Sequence, residues 1–174
     1  AGIVNRLPGI MTLLIMGTVT AFLFRQYEPL IQQASIFAIF ITLITGTAGN
    51  TGTQSLAVAI RKIGLHEEEQ SFWKVLVQEG TTGLGIGLIS GVVVFGIVSL
   101  WLGNIVLGGI IGFAMFASIF VAALTGTCIP FALEKFNFDP SIASGPFITT
   151  VNDLTSVLVY FTIVSQFISV YLAK

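Results

Sequence analysis

Five stretches of this 174-residue chain are apolar for long enough to cross a hydrocarbon core, which needs about 20 residues. They cover roughly 7–24, 30–60, 81–102, 105–133 and 141–173. Each run is continuous rather than alternating, which predicts helices and speaks against β-strands. The fold class expected is an all-α membrane protein with five transmembrane helices per chain. A Gly/Thr/Asn-rich stretch is expected to interrupt the second span. The longest and most polar connector runs from Arg61 to Glu79. Within it, SFWKVLVQE (Ser71–Glu79) reads either as a short amphipathic helix with Trp73 at the cytoplasmic interface or as the start of the third span. An odd span count excludes a simple inverted repeat within one chain.

Composition agrees with the pattern. The chain is 55% hydrophobic and 9% charged, where a soluble domain carries about 25% charge. Its length allows one membrane domain, residues 1–174, with no room for a separate soluble one. A net charge of −1 argues against nucleic acid as a partner. Cys128 is the single cysteine, so neither an internal disulfide nor a Cys/His zinc cluster can form. His66, beside Glu67, Glu68 and Glu69, reads as a solvated loop residue. With the N-terminus in the cytoplasm, Arg6, Arg61, Lys62, Lys74 and Lys135 fall inside and only Arg25 and Lys174 outside, as the positive-inside rule prefers. The chain opens at Ala1, and Arg6 and Pro8 lead straight into a span, so a fragment or trimmed form of a longer protein is expected.

One charge breaks the pattern. Fourteen of the fifteen charged residues lie at the ends of apolar runs or between them, but Asp153 lies deep inside the fifth. A carboxylate at a helix centre costs roughly 2.5–3.5 kcal/mol on insertion scales, and such residues usually face a bundle interior or a water-filled path. Gly145, Thr149, Asn152, Asp153 and Ser156 recur at helical spacing and are expected on one face, opposite Ile148, Val151, Leu154 and Leu158. Pro146 is expected to free a carbonyl about one turn earlier. On the second span, Ser35, Ala38, Thr42, Thr45, Gly46, Gly49, Asn50 and Thr53 form a matching small-residue face, which either borders a pore or is a helix-packing seam.

These groups offer oxygen at membrane depth, without sulfur or imidazole, which suits hard divalent cations and disfavours Cu(I). One acid per chain supplies too little charge for a dehydrating cage. Two chains would bring two Asp153 carboxylates to one axis, and a Mg²⁺ that keeps several waters would fit there, because Mg²⁺ dehydrates reluctantly. No membrane-embedded His or Lys can serve as a base for the many Ser and Thr residues, so the protein is not expected to be an enzyme. The glycines of GTAGNTG form no phosphate loop, since a strand and a Lys are both missing.

GTAGNTGTQS (residues 46–55) and DPSIASGPFITTVNDLTSVLVY (residues 139–160) together resemble the MgtE-type magnesium channel family. The five spans, Glu28 and the KVLVQEG segment agree in order, so the resemblance covers essentially the whole chain. It implies a homodimer in the bilayer with the pore at the dimer interface, lined by the second and fifth spans. Asp153 then corresponds to the pore aspartate that holds hydrated Mg²⁺, Gly46 and Thr149 to positions whose carbonyls face the ion, and Asn50 to the signature asparagine. Thr42, Thr45, Gly49, Gly145, Asn152 and Ser156 are the expected pore-lining residues. Glu28 and Glu79 are candidate acids at the outer and inner mouths, able to concentrate cations. Thr42 stands where many members carry proline, and Gly145 where some carry asparagine. Full-length members place a cytoplasmic N domain and a CBS pair before the first span, and residues 1–174 contain neither. The expectation is a bacterial or archaeal plasma-membrane channel passing Mg²⁺ down its electrochemical gradient, with Mn²⁺, Co²⁺ or Ca²⁺ as possible substitutes. A proton- or sodium-coupled divalent carrier and a structural membrane subunit are the alternatives.

Overall fold

The computed structural model describes residues 2–65, 71–143 and 145–173, so His66 and its acidic neighbours lie outside the described residues. Helix α1 spans Gly2–Gln26. The second span comes in three pieces, α2 (Glu28–Gln33), α3 (Ile36–Ile39) and α4 (Ile41–Gly64). Then follow α5 (Phe72–Leu102), α6 (Ile105–Lys135), a 3₁₀ turn (Pro140–Ala143) and α7 (Pro146–Leu172). Five helical stretches are long and apolar enough to cross a membrane, and no strand occurs among the described residues.

Two local expectations change and one open alternative is decided. The second span does break, but at Ala34–Ser35 and at Phe40 rather than in the Gly/Thr/Asn stretch, which is regular helix. A glycine in a helix costs about 1 kcal/mol relative to alanine, yet tertiary packing overrides such propensities. Here the small residues let α4 approach α6 and α7 closely, as Gly52 does. The SFWKVLVQE segment belongs to the third span, for α5 starts at Phe72 and continues to Leu102 without interruption. Pro146 opens α7 instead of interrupting a helix, a position where its missing N–H costs nothing.

Helices α5 and α6 form a tight antiparallel hairpin. Its turn is Gly103–Asn104: Gly103 takes φ 64°, which a side chain would resist, and the Asn104 side chain accepts the Leu107 N–H at 3.0 Å as N-cap. Glycines then line the seam. A Cβ on Gly91 would lie 2.7 Å from the Gly112 carbonyl oxygen, and one on Gly112 would lie 2.6 Å from that of Gly91. Small residues at such seams admit the close backbone approach that drives helix association in lipid, where no hydrophobic force acts between helices.

Helix α6 is the central element, the most buried of the five spans, and touches α4, α5 and α7. The interior is layered. At the end nearest the α5–α6 turn, a large cluster holds Phe37, Ile44, Val98, Leu107, Ile111, Met115, Ile119, Tyr160 and Phe161. At the other end, Leu56, Ala143 and Ile148 form a smaller one. Between them lies a junction of small and polar groups, with Gly52, Ser55, Gly126, Thr127 and Asn152 all buried. Helix α1 is peripheral, tied on by Phe24 edge-on to Phe161 and Tyr27 stacked on Phe161 at 4.6 Å. Outside the spans, Asp139 accepts the Ser141 N–H at 2.9 Å, which starts the 3₁₀ turn and holds the Asp139 carboxyl below the usual carboxylate range.

Gly112→Ala should therefore destabilise the hairpin by about 1–3 kcal/mol, the usual cost of overpacking. Gly96→Ala, whose Cβ would meet nothing within 4 Å, should leave stability unchanged or slightly raised. Thermal unfolding of the two variants in detergent checks the contrast.

A candidate cation site between the second and fifth spans

Helices α4 and α7 leave an open recess of about 290 Å³ between them, lined by Thr42, Thr45, Gly46, Gly49, Asn50, Thr53, Thr149 and Asp153. It brings together the four residues singled out for metal (Asp153, Thr149, Gly46 and Asn50) with Thr42, Thr45 and Gly49. Thr53, noted on the same helix face, completes the lining. Asp153 lies about 10 Å along α7 from its first residue, at a rise of about 1.5 Å per residue. It is only half-buried, and its Oδ1 lies 3.4 Å from where a Cβ on Gly49 would stand. Thr42, Gly46, Asn50 and Thr149 are exposed on this face.

The hydroxyls are oriented by their own helices. Thr45 donates to the Ile41 carbonyl at 2.9 Å, Thr149 to the Gly145 carbonyl at 3.2 Å, and Thr53 to the Gly49 carbonyl. With its proton turned back to the backbone, each hydroxyl can present only lone pairs elsewhere. The recess thus offers one carboxylate, one amide and hydroxyl oxygens, with no Lys, Arg or His among its lining residues. That donor set fits a hard cation that keeps its water. No cluster of three or more His, Cys, Asp or Glu side chains able to hold a metal occurs among the described residues. The single carboxylate of this recess carries too little charge to strip the water from a divalent ion by itself.

The remaining expected liners lie elsewhere. Asn152 and Ser156 are buried inside the protomer and do not line this recess. The reason is geometric: neighbours on a helix point about 100° apart, so when Asp153 faces the recess Asn152 turns toward the interior. There its amide fills the notch at Gly52, where a Cβ would collide with Nδ2. Gly52 is closed in from the α6 side as well, since a Cβ on Gly126 would meet the Gly52 carbonyl. Among the described residues, neither polar atom of the Asn152 amide has a hydrogen-bond partner, and the same holds for the Ser156 hydroxyl.

Gly145 does not line the recess either. With φ 70° and ψ −134° it turns the chain into α7, and its carbonyl receives both the N–H and the hydroxyl of Thr149. Glu28 is the exposed first residue of α2, within 3.4 Å of the Gln32 amide. Glu79 is buried on α5, which contributes nothing to the lining. The reading of the residues did not single out Gly52, Gly126 or Tyr160. Gly52 stands inside the GNTG motif, but nothing in the sequence tells a packing glycine from a lining one.

Gly52→Ala should destabilise the protein by about 1–3 kcal/mol through overpacking, and Asn152→Ala should suppress the defect by emptying the notch. Yield and thermal unfolding of the two single variants and the double variant test this coupling.

The sequence profile of the MgtE family, described as divalent cation transporter, matches residues 41–163. Three curated relatives, each named magnesium transporter MgtE, align with almost the whole chain. The Enterococcus faecalis protein is 51% identical over 94% of this chain, the Bacillus subtilis protein 38% over 94%, and the Thermus thermophilus protein 29% over 91%. The chain spans only about a third of their lengths, 36%, 37% and 35% respectively. The profile takes in α4 with its recess lining, the α5–α6 hairpin and the Asp153 stretch, and the chain belongs to the MgtE family of divalent cation transporters.

Proposed function

We propose that this chain is the membrane pore part of a magnesium transporter, in which two copies juxtapose their α4–α7 recesses to form one path for hydrated Mg²⁺. The observation that carries this reading is the polar recess around the acid of the fifth span, open on the surface of the chain and with no Lys, Arg or His in its lining. Oxygen-rich surface at membrane depth is costly against lipid and calls for a wet or polar partner surface. A second copy supplies such a surface, and with it a second Asp153 carboxylate. Together with Thr149, Gly46 and Asn50, the two carboxylates would hold the ion through its water shell, which avoids the cost of dehydrating Mg²⁺. The relatives named as magnesium transporters favour Mg²⁺ as the cargo, with Mn²⁺, Co²⁺ and Ca²⁺ as competitors to be measured.

In this reading the N-terminus lies in the cytoplasm of a bacterial or archaeal cell; the balance of basic residues favours that orientation and the bacterial relatives favour that host. Inward flow then follows the electrochemical gradient, and a membrane potential assists a divalent ion by about 4.6 kcal/mol per 100 mV. Movement of the second and fifth spans relative to each other would open and close the path. No step requires covalent chemistry.

Asp153→Ala should lower Mg²⁺ uptake into proteoliposomes by at least about tenfold, and Asp153→Asn, which keeps the size and removes the charge, should do the same. Wild-type flux in Asp153→Ala would sink the mechanism. Uptake that follows an imposed proton or Na⁺ gradient would instead make the protein a coupled carrier. Purified protein that neither binds nor passes Mg²⁺ would make it a structural subunit.

A further inference from the structure

The break at Phe40 occurs without a proline anywhere in α3 or α4. Backbone bonds near it run from Phe37 N–H to the Ala34 carbonyl and from Ala38 N–H to the Ser35 carbonyl, and resume with Ile44 N–H to the Phe40 carbonyl. The bond that an unbroken helix would make, from the Ile41 N–H to the Phe37 carbonyl, is not among them. The Phe37 carbonyl is instead taken by α7: the Tyr160 hydroxyl donates to it, across 123 positions of sequence. Both residues are fully buried. Tyr160 and Phe37 sit in an aromatic block, with Phe161 against Tyr160 and Tyr171 edge-on to Phe37.

The place of this bond gives it a consequence for the site. Tyr160 lies seven residues, about 10 Å, beyond Asp153 on the helix that carries the acid. Phe37 lies five residues before Thr42, where the α4 lining of the recess begins. We propose that Tyr160 is a positioning residue for ion passage: by capturing the Phe37 carbonyl it keeps the second span broken, and so sets the direction in which α4 presents Thr42, Thr45 and Gly46 to Asp153. An orphan carbonyl in an apolar interior is costly, so some donor must serve it. Without the Tyr160 hydroxyl, the donor that a continuous helix offers this carbonyl is the Ile41 N–H, and using it would splice α3 to α4 and straighten the span. This inference rests on the transport reading above only for its flux readout.

Tyr160→Phe removes one oxygen and keeps the ring. In proteoliposomes this variant should lose about tenfold in maximal Mg²⁺ uptake while half-saturating Mg²⁺ stays within about twofold, because Asp153 is untouched. Ile41→Pro, at the first position of α4 where proline is tolerated, removes the competing donor. Adding it to Tyr160→Phe should return uptake to within about twofold of Ile41→Pro alone, which a general packing defect would not allow. Hydrogen exchange of the Ile41 amide provides a readout independent of transport, slowed in Tyr160→Phe as the helix closes. Wild-type uptake in Tyr160→Phe, or a loss that Ile41→Pro leaves unchanged, overturns the proposal. If wild-type protein passes no Mg²⁺, the transport reading fails, and the exchange rate alone then decides for or against the latch.

Discussion

The structure turns on the close approach of three helices at Gly52. That residue has no side chain, and the Asn152 amide from α7 takes the space; its backbone in turn sits where a side chain on Gly126 of α6 would be. Any larger residue at position 52 would push α7 outward or rotate it. Because successive helical residues point about 100° apart, seating Asn152 in this notch directs Asp153 out into the recess. The exposure of one acid is thus decided by the absence of a side chain on another helix.

This arrangement explains how a costly carboxylate is tolerated. No Lys, Arg or His lines the recess with Asp153, which faces an open surface shared with threonine hydroxyls and Asn50. The hydroxyl protons of Thr45, Thr53 and Thr149 are bound to carbonyls of their own helices, so the surface is biased toward oxygen lone pairs. Around it the helices pack closely: a glycine seam joins α5 to α6, and the aromatic block at Phe37, Tyr160 and Phe161 joins the second span to the fifth. The break at Phe40 lies at the junction between that block and the recess, where a change of helix direction reaches the site directly.

Much of this was legible in the residues. Apolar runs located all five spans, and helical spacing grouped Thr42, Thr45, Gly46, Gly49 and Asn50 on one face. The fifth-span stripe is broader in the sequence than in the fold. Spacings of three and four describe a band wider than a groove can accept, so Gly145, Thr149, Asn152, Asp153 and Ser156 looked equivalent. Packing divides them: Thr149 and Asp153 line the recess, Asn152 and Ser156 turn inward, and Gly145 serves the turn before α7. The break in the second span was expected at its glycines, because propensity is local. It falls at Phe40 because a distant tyrosine serves the Phe37 carbonyl.

Asp153 marks the division between the two sources of information. The sequence by itself determined that the chain must form membrane helices and that this one acid needs a polar surface, since both follow from the cost of placing apolar or charged groups in the wrong solvent. Only the tertiary structure decided which residues share that surface with it. Helix rotation is set by how side chains and glycines of different helices fit together, and a single strand of sequence carries no record of that fit.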